Sequence, residues 1–130
     1  MRLRLVIAAC LVLLSCNISQ TDLVLMNGVR ADANIRSLIE NTQLKAKAQA
    51  WADRVGDTCV ISHSSLPAGA PSGWHKLGEN IAIGGDVEAL QRLLMASKPH
   101  RSNILDPAFS EVGIGFSEKC GGVLVQDFSG

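Results

Sequence analysis

Two histidines and one glutamate, His63, Glu79 and His100, carry most of the chemical potential of this chain. Neutral imidazoles and a carboxylate are ligands that Zn²⁺ accepts, with a fourth position left for water. An imidazole whose pKa lies near its ordinary value of about 6.5 can also accept or donate a proton in catalysis. His63 and His100 are 37 residues apart, so no spacing rule pairs them by itself.

Each of these three residues also has a purely structural interpretation. His63 can be an ordinary loop histidine, and Glu79 can accept hydrogen bonds from the backbone N–H groups of its own turn. His100 can cap the short turn that contains Ser102 and Asn103. The three residue types alone therefore leave a shared site and three separate structural roles both open.

Other residues with reactive side chains carry weaker signals. Ser64 and Ser65 follow His63, but no G-x-S-x-G nucleophile elbow surrounds them and no acidic partner can be assigned. The third histidine, His75, lies in a stretch with loop composition and is expected at the surface. The sequence therefore favours no serine nucleophile.

The N-terminus has the composition of a targeting segment. Arg2 and Arg4 precede an unbroken apolar run over residues 5–14. Ten apolar residues are too few to span a bilayer as a helix, which needs about 20. Residues 1–15 are therefore predicted to be a signal peptide.

The apolar run ends in Leu13-Leu14-Ser15-Cys16, which resembles a bacterial lipobox. In such a motif the cysteine is diacylated and becomes the new N-terminus, so the mature protein is predicted to be anchored in a membrane by lipid at Cys16. Asn17 is not the aspartate associated with inner-membrane retention, which favours the outer membrane. The alternative is ordinary cleavage a few residues later, which releases a secreted protein without lipid.

The cysteine count fits an exported protein. Cys10 lies in the predicted signal peptide and Cys16 is the predicted lipidation site, which leaves Cys59 and Cys120. An even pair in an oxidising compartment predicts a disulfide, which would close a long loop and contribute roughly 3–5 kcal/mol. The alternative is two buried free thiols.

Length and charge limit the remaining possibilities. The chain has 130 residues, of which 47% are apolar, so it can form one well-packed domain. Its 12 basic and 12 acidic residues leave no net charge and include no basic run, so nucleic acid is not an expected partner. We expect residues 16–21 to be a short tether, residues 22–130 to be the domain, and the protein to be a monomer.

Apolar periodicity predicts two helices in the first half of the domain. The first covers residues 21–30, with Thr21 or Asp22 as its N-cap. The second covers residues 44–55, where apolar residues recur at helical spacing along one face. Gly56 stands where a left-handed residue is expected to end that helix.

The second half predicts a mixture of helix and strand. A third helix begins at the N-cap Asp86 and ends before Pro99, because the residue before proline is pushed out of the helical region. Residues 59–61 form a predicted short strand, and residues 112–116 and 123–128 a predicted antiparallel hairpin. The alternation of glycine in the first hairpin strand predicts close backbone neighbours. The expected class is α+β, with helices covering a small antiparallel sheet.

Several short motifs occur together and in a recognisable order. They are N-G-V-R at 27–30, the helix at 44–52, the strand and histidine at 59–63, G-E-N-I at 78–81, S-K-P-H-R-S-N-I-L at 97–105, V-G-I-G at 112–115 and Q-D-F at 126–128. With these motifs the chain resembles the CAP superfamily of cysteine-rich secretory and pathogenesis-related proteins, also described by its SCP domain, and especially its compact bacterial branch.

The resemblance implies an α/β/α sandwich with a central cleft lined by two histidines and two acidic residues. His63, Glu79 and His100 match three of those positions, whereas Ser97 matches the fourth, so the set of four is incomplete. These three residues are the candidate Zn²⁺ ligands and the candidate catalytic residues.

Three functions remain after this comparison. The favoured one is a non-enzymatic module of the cell envelope that binds an unknown lipid or protein ligand. The second is a metal-dependent or His/Glu-assisted hydrolase of peptide or peptidoglycan bonds. The third is a structural envelope protein in which the three residues only stabilise the fold.

Overall fold

The computed structural model describes the backbone of residues 2–130 and the side chains of residues 17–130. Two predictions concern residues outside the described side chains: the signal peptide at 1–15 and the lipidation of Cys16. Both stay predictions.

The described residues form four α-helices and four strands, with helices and strands mixed along the chain. They are α1 (Arg2–Asp32), β1 (Ile39–Glu40), α2 (Thr42–Thr58), β2 (Leu77–Ile83), α3 (Val87–Ala96), α4 (Lys98–Ile104), β3 (Glu111–Ser117) and β4 (Val123–Ser129). The strand order in the sheet is β1-β3-β4-β2, with β1 parallel to β3 and the other pairs antiparallel. The α+β class is confirmed, with a mixed rather than purely antiparallel sheet.

The two faces of the sheet carry different helices, which makes three layers. On one face, Ala48, Ala52 and Val55 of α2 pack against Ile81 of β2 and Val125 of β4. The other face packs against α1, α3 and α4. Its buried apolar residues include Met26, Leu90, Leu94, Ile104, Ile114, Leu124 and Phe128. Successive strand residues point to opposite faces, so neighbours in β2 contribute to different layers.

Helix α1 differs from its prediction at the N-terminal end. Thr21 is not a cap, because it lies inside the helix and its hydroxyl donates to the carbonyl oxygen of Asn17 at 3.0 Å. Residues 17–21, predicted as a tether, belong to the same helix, and Ser19 is buried. The physical reason is that residues 17–21 contain no glycine or proline to interrupt the helix.

The segment after α2 was also predicted wrongly. Cys59, with a φ of 55°, is the left-handed residue that ends α2, while Gly56 lies buried inside the helix. The predicted strand at residues 59–61 is irregular, and the side chains of Val60 and Ile61 are exposed. Their β-branched side chains favour extended backbone, but no neighbouring strand pairs with them.

Two further elements were missed. The G-E-N-I motif lies in strand β2, and Pro99 lies in the first turn of α4 rather than only ending the preceding helix. Proline is favoured there because its missing N–H would have no partner in the first turn. Asp86 does cap α3 as predicted, accepting a hydrogen bond from the N–H of Ala89 at 2.8 Å.

A disulfide joins the end of α2 to the β3–β4 connection. Cys59 and Cys120 are bonded, with their Cα atoms 5.6 Å apart. The pair expected from the cysteine count is therefore formed. Within the described residues, none of the helices has the length and apolar character that crossing a bilayer requires.

Candidate functional site

The His63–Glu79 pair is the centre of the candidate site. The Nδ1 atom of His63 lies 2.8 Å from Oε1 of Glu79. The two side chains differ in exposure, because that of His63 is 59% exposed and that of Glu79 is 1% exposed. With Nδ1 directed at the carboxylate, the imidazole presents Nε2 to solvent, as a histidine oriented by a carboxylate does.

Ser64 ties the loop that follows α2 to the same carboxylate. Its backbone N–H donates to Oε1 of Glu79 at 2.9 Å, and its hydroxyl donates to Oε2 at 2.5 Å. The sequence assigned Ser64 no acidic partner; the structure provides Glu79. The hydroxyl bonds to the carboxylate and not to His63, so the two are not arranged as a nucleophile and its base.

Helix α2 holds this loop from the other side. The Nζ atom of Lys47 donates to the hydroxyl of Ser64 at 2.6 Å and to the carbonyl oxygen of Ser65 at 3.1 Å. The indole N–H of Trp51, one turn further along, donates to the carbonyl oxygen of Ser62 at 2.7 Å. Two side chains of α2 therefore fix the extended segment that presents His63.

His100 approaches from the opposite layer of the sandwich, near the start of α4. Its Nδ1 lies 2.8 Å from the hydroxyl of Ser97, the residue that occupies the fourth position of the family site. Partial burial, together with the charge of nearby His63, holds the pKa of His100 below its ordinary value. His100 is therefore a neutral imidazole at physiological pH, oriented by a serine where His63 is oriented by a carboxylate.

The Glu79 carboxylate is stabilised in its ionised form. Burial by itself raises its pKa, but the hydrogen bonds from Ser64 and His63 outweigh burial, and the pKa of Glu79 lies below its ordinary value. A carboxylate with a lowered pKa is a weak proton acceptor at neutral pH. Glu79 therefore suits orientation of the loop better than proton transfer.

A buried polar network supports His100 from beneath. Asn80 donates to the carbonyl oxygen of His100 at 3.1 Å and to Oε1 of Gln126 at 3.1 Å. Asn103 donates to Oδ1 of Asn80 at 2.9 Å. The amide of Gln126 then donates to Asp22 of α1 at 2.7 Å. The side chains of Asp22, Gln126 and Asn80 thus connect α1, through the sheet, to the backbone of the candidate site.

Asp22 makes this network dependent on pH. Burial raises its pKa to about 7, and the hydrogen bond from Gln126 opposes that rise. The folded chain therefore holds a proton that the unfolded chain releases above about pH 4. The free energy of unfolding should fall as pH rises from about 4 to 7, by roughly 4 kcal/mol at most from this residue.

Replacing Asp22 with asparagine is expected to stabilise the protein at pH 8 and to leave it almost unchanged at pH 4. The amide oxygen still accepts the bond from Gln126, and no ionised group remains in the core. Urea unfolding of both forms at the two pH values measures the difference. A loss of stability at pH 8 in Asp22→Asn would contradict a pKa raised by burial and would indicate that the ionised carboxylate is required.

The described side chains do not form the Zn²⁺ site expected from the sequence. Among residues 17–130, no group of three or more His, Cys, Asp or Glu side chains is arranged to hold a metal ion. The oxygens of Glu79 already accept three hydrogen bonds, and Nδ1 of His63 is used in one of them. The described geometry does not fit the expected metal, and Zn²⁺ binding by His63, Glu79 and His100 stays a prediction from the sequence alone.

Sequence reasoning missed two charged residues of this cluster. Lys47 is one of two lysines in α2, and only the fold brings it to Ser64. Asp127 lies opposite Glu79 in the β2–β4 register and is buried. The sequence did contain a signal for Asp127, because a carboxylate within an otherwise apolar strand is rarely buried unless it has a partner. His75 is exposed and apart from the cluster, as expected.

The fold therefore places a sheet between one helix and three, with a histidine–glutamate pair near the start of β2. The family model for cysteine-rich secretory proteins matches residues 23–128 of the chain. The protein belongs to this CAP family.

Relatives of this domain occur in several bacteria. The Bacillus subtilis protein YkwD is 31% identical in an alignment of 115 positions that covers 82% of this chain and 44% of the relative. An extracellular SCP-domain protein of Bacillus anthracis has 27% identity and a TM-score of 0.76, over 88% of this chain and 41% of that one. An outer surface protein of Borrelia burgdorferi shares the fold, with 15% identity and a TM-score of 0.73 over 80% of this chain and 85% of its own.

The chain spans less than half the length of the two Bacillus relatives. The similarity therefore concerns the CAP domain alone, and the activities of the longer proteins are not assigned to this chain.

Proposed function

We propose that this protein is an exported, lipid-anchored binding module of the bacterial cell envelope, whose ligand surface is built around His63, Glu79 and His100. The observation that carries the proposal is the use of Glu79, whose carboxylate is buried and accepts three hydrogen bonds from His63 and Ser64. Because these hydrogen bonds occupy the Glu79 carboxylate, its role is to fix the loop that presents His63 at the surface. Two oriented imidazoles, from opposite layers, then offer ring nitrogens to a ligand.

The anchor and the ligand surface would lie at opposite ends of the sheet. Asn17, which follows the predicted lipidation site Cys16, lines a surface pocket with Gly85 and Gly122. Those glycines lie just after β2 and just before β4, whereas Glu79 lies near the start of β2. A strand rises about 3.3 Å per residue, so the two ends are roughly 20 Å apart. A membrane anchor at Cys16 would leave the ligand surface facing away from the bilayer.

The binding test uses residues 17–130, exported without the predicted acyl site so that no lipid inserts into the probe, with two envelope probes, purified peptidoglycan sacculi and phosphatidylglycerol vesicles. Retention on either probe should be lost in His63→Ala and kept in His75→Ala, because His75 is exposed outside the cluster. The soluble fraction is examined for released fragments by mass spectrometry. Equal retention of the two variants would place the binding surface elsewhere, and fragments that disappear only in His63→Ala would favour the hydrolase.

The anchor is tested separately by Cys16→Ser. Loss of the protein from the membrane fraction, with loss of an acyl mass on the N-terminal peptide, supports the lipid anchor. Continued export without an acyl mass in the original chain would leave a secreted binding module.

Hydrolysis is the second candidate because one observation favours it. His63 and Glu79 are paired as a base and its orienting carboxylate. In that case Nε2 of His63 would take a proton from an attacking water molecule. The mass-spectrometric arm of the binding test decides between the two functions.

A further inference from the structure

Asp127 is a buried carboxyl group directly beneath the candidate site. It is 1% exposed, and neither of its oxygens receives a hydrogen bond from a donor in the described residues. In the sheet it lies opposite Glu79 of β2 on one side and Gly113 of β3 on the other. Because directly opposite residues point to the same face, Asp127 and Glu79 share the face that α2 covers.

The charges around Asp127 come from three places. Helix α2 contributes Lys47, strand β2 contributes Glu79, and the loop after α2 contributes His63 on the far side of Glu79. On strand β3 the residue opposite Asp127 is Gly113, which has no side chain, and Glu111, two residues earlier on the same face, accepts a hydrogen bond from Ser129. Two buried carboxyl groups this close cannot both ionise readily. Burial, with Glu79 adding to it and Lys47 opposing it, raises the pKa of Asp127 to about 8, whereas that of Glu79 is lowered.

The Glu79 carboxylate has room for one more donor. Its two oxygens offer about four acceptor positions. His63 Nδ1, the Ser64 N–H and the Ser64 hydroxyl take three of them. The remaining position can accept an O–H from a protonated Asp127, and a hydrogen bond of this kind to a charged acceptor is among the stronger ones in proteins.

We propose that Asp127 is the second carboxyl group of the site, and that Asp127 and Glu79 hold one proton between them beneath His63. The pair carries a single negative charge at neutral pH. Lys47 then stays on Ser64 instead of moving to Asp127, and the loop that presents His63 is held. Asp127 is a positioning residue in this proposal.

This inference rests on the site of the proposed function but requires neither a ligand nor the anchor. The test is a ¹³C-carboxyl NMR titration of the exported protein, with His63 followed by its imidazole signals. In the original chain, the Asp127 carboxyl should titrate near pH 8 and the Glu79 carboxyl below its ordinary range. In Glu79→Gln, the Asp127 midpoint should fall by about one unit or more, because the like charge is removed. An unchanged midpoint would mean that burial alone raises the pKa of Asp127 and that no proton is shared with Glu79, which would overturn the proposal.

Asp127→Asn gives an independent result even if Glu79→Gln does not fold. Its amide can donate to Glu79 in place of the proton, so the pKa of His63 should move by less than about 0.3 unit. If Asp127 were ionised, its loss would lower the pKa of His63 by about one unit or more, since an anion stabilises imidazolium. That outcome would overturn the proposal. Glu111→Gln, on the same sheet but bonded to Ser129, is the control variant.

Discussion

Alanine at Gly113 is expected to destabilise the domain by roughly 4 kcal/mol or more, which is exceptional for a single methyl group. A Cβ atom at this position would lie 2.0 Å from the carbonyl carbon of Leu44 and 2.1 Å from the backbone nitrogen of Lys45. Both atoms belong to the backbone of α2, so no side chain can rotate away. The helix would have to lift from the sheet, which would also carry Lys47 away from Ser64.

Thermal or urea unfolding of Gly113→Ala measures this effect, and Gly28→Ala is its matched control. Gly28 lies inside α1 with open space around a Cβ atom. Alanine there should stabilise the protein by about 0.5–1 kcal/mol, since it is the better helix former. If both variants unfolded at the same midpoint as the original chain, the close contact between α2 and β3 would be wrong.

Replacing Arg30 with methionine should have the second-largest effect, a loss of roughly 3–5 kcal/mol. Arg30 is fully buried and its guanidinium donates only to carbonyl oxygens. Two of the bonds reach Ile104 at 2.9 Å and Phe109 at 3.1 Å, and the others reach Arg36 and Asp106. Methionine fills similar space but leaves these carbonyls without a donor, so the end of α4 would separate from α1.

Arg30→Lys should recover only part of this loss, because an ammonium group cannot reproduce the planar fork of a guanidinium. Arg36→Met is the control, since Arg36 is exposed and contributes only its backbone carbonyl to the cluster. Chemical denaturation of the three variants gives the ranking. A near-neutral Arg30→Met would show that water or other donors satisfy the carbonyls, and the proposed stabilising role would be wrong.

The sequence predicted the elements whose signals are local. The apolar face of α2, the cap Asp86 and the glycine-rich hairpin strand depend on neighbouring residues only, and the structure confirms all three. Strand β2 was missed because the buried polar residues Glu79 and Asn80 interrupt its apolar pattern, and α4 was missed because it has seven residues of which one, Ile104, is buried. Asn80 is buried through bonds to other elements, which no local pattern reveals.

The candidate site was predicted by family motif rather than by physical pattern. His63 and Glu79 do contact each other, although nothing in their spacing requires it. The groups that organise them could not be predicted, because Lys47 and Asp127 reach the cluster only through helix packing and strand register. Contacts of this kind join residues that are distant in sequence, so they cannot be predicted until the pairing of the strands is known.

Glu79 and Asn80 are consecutive residues of β2, yet they serve opposite layers of the sandwich. Glu79 holds the loop of His63 on the α2 side, while Asn80 holds the backbone of His100 on the α4 side. Any compound that contacts both imidazoles would therefore bridge the two layers, and binding would resist their separation. Since a ligand of the folded state raises the melting temperature by mass action, a thermal-shift screen of envelope compounds would detect such a bridge whatever the chemical class of the compound.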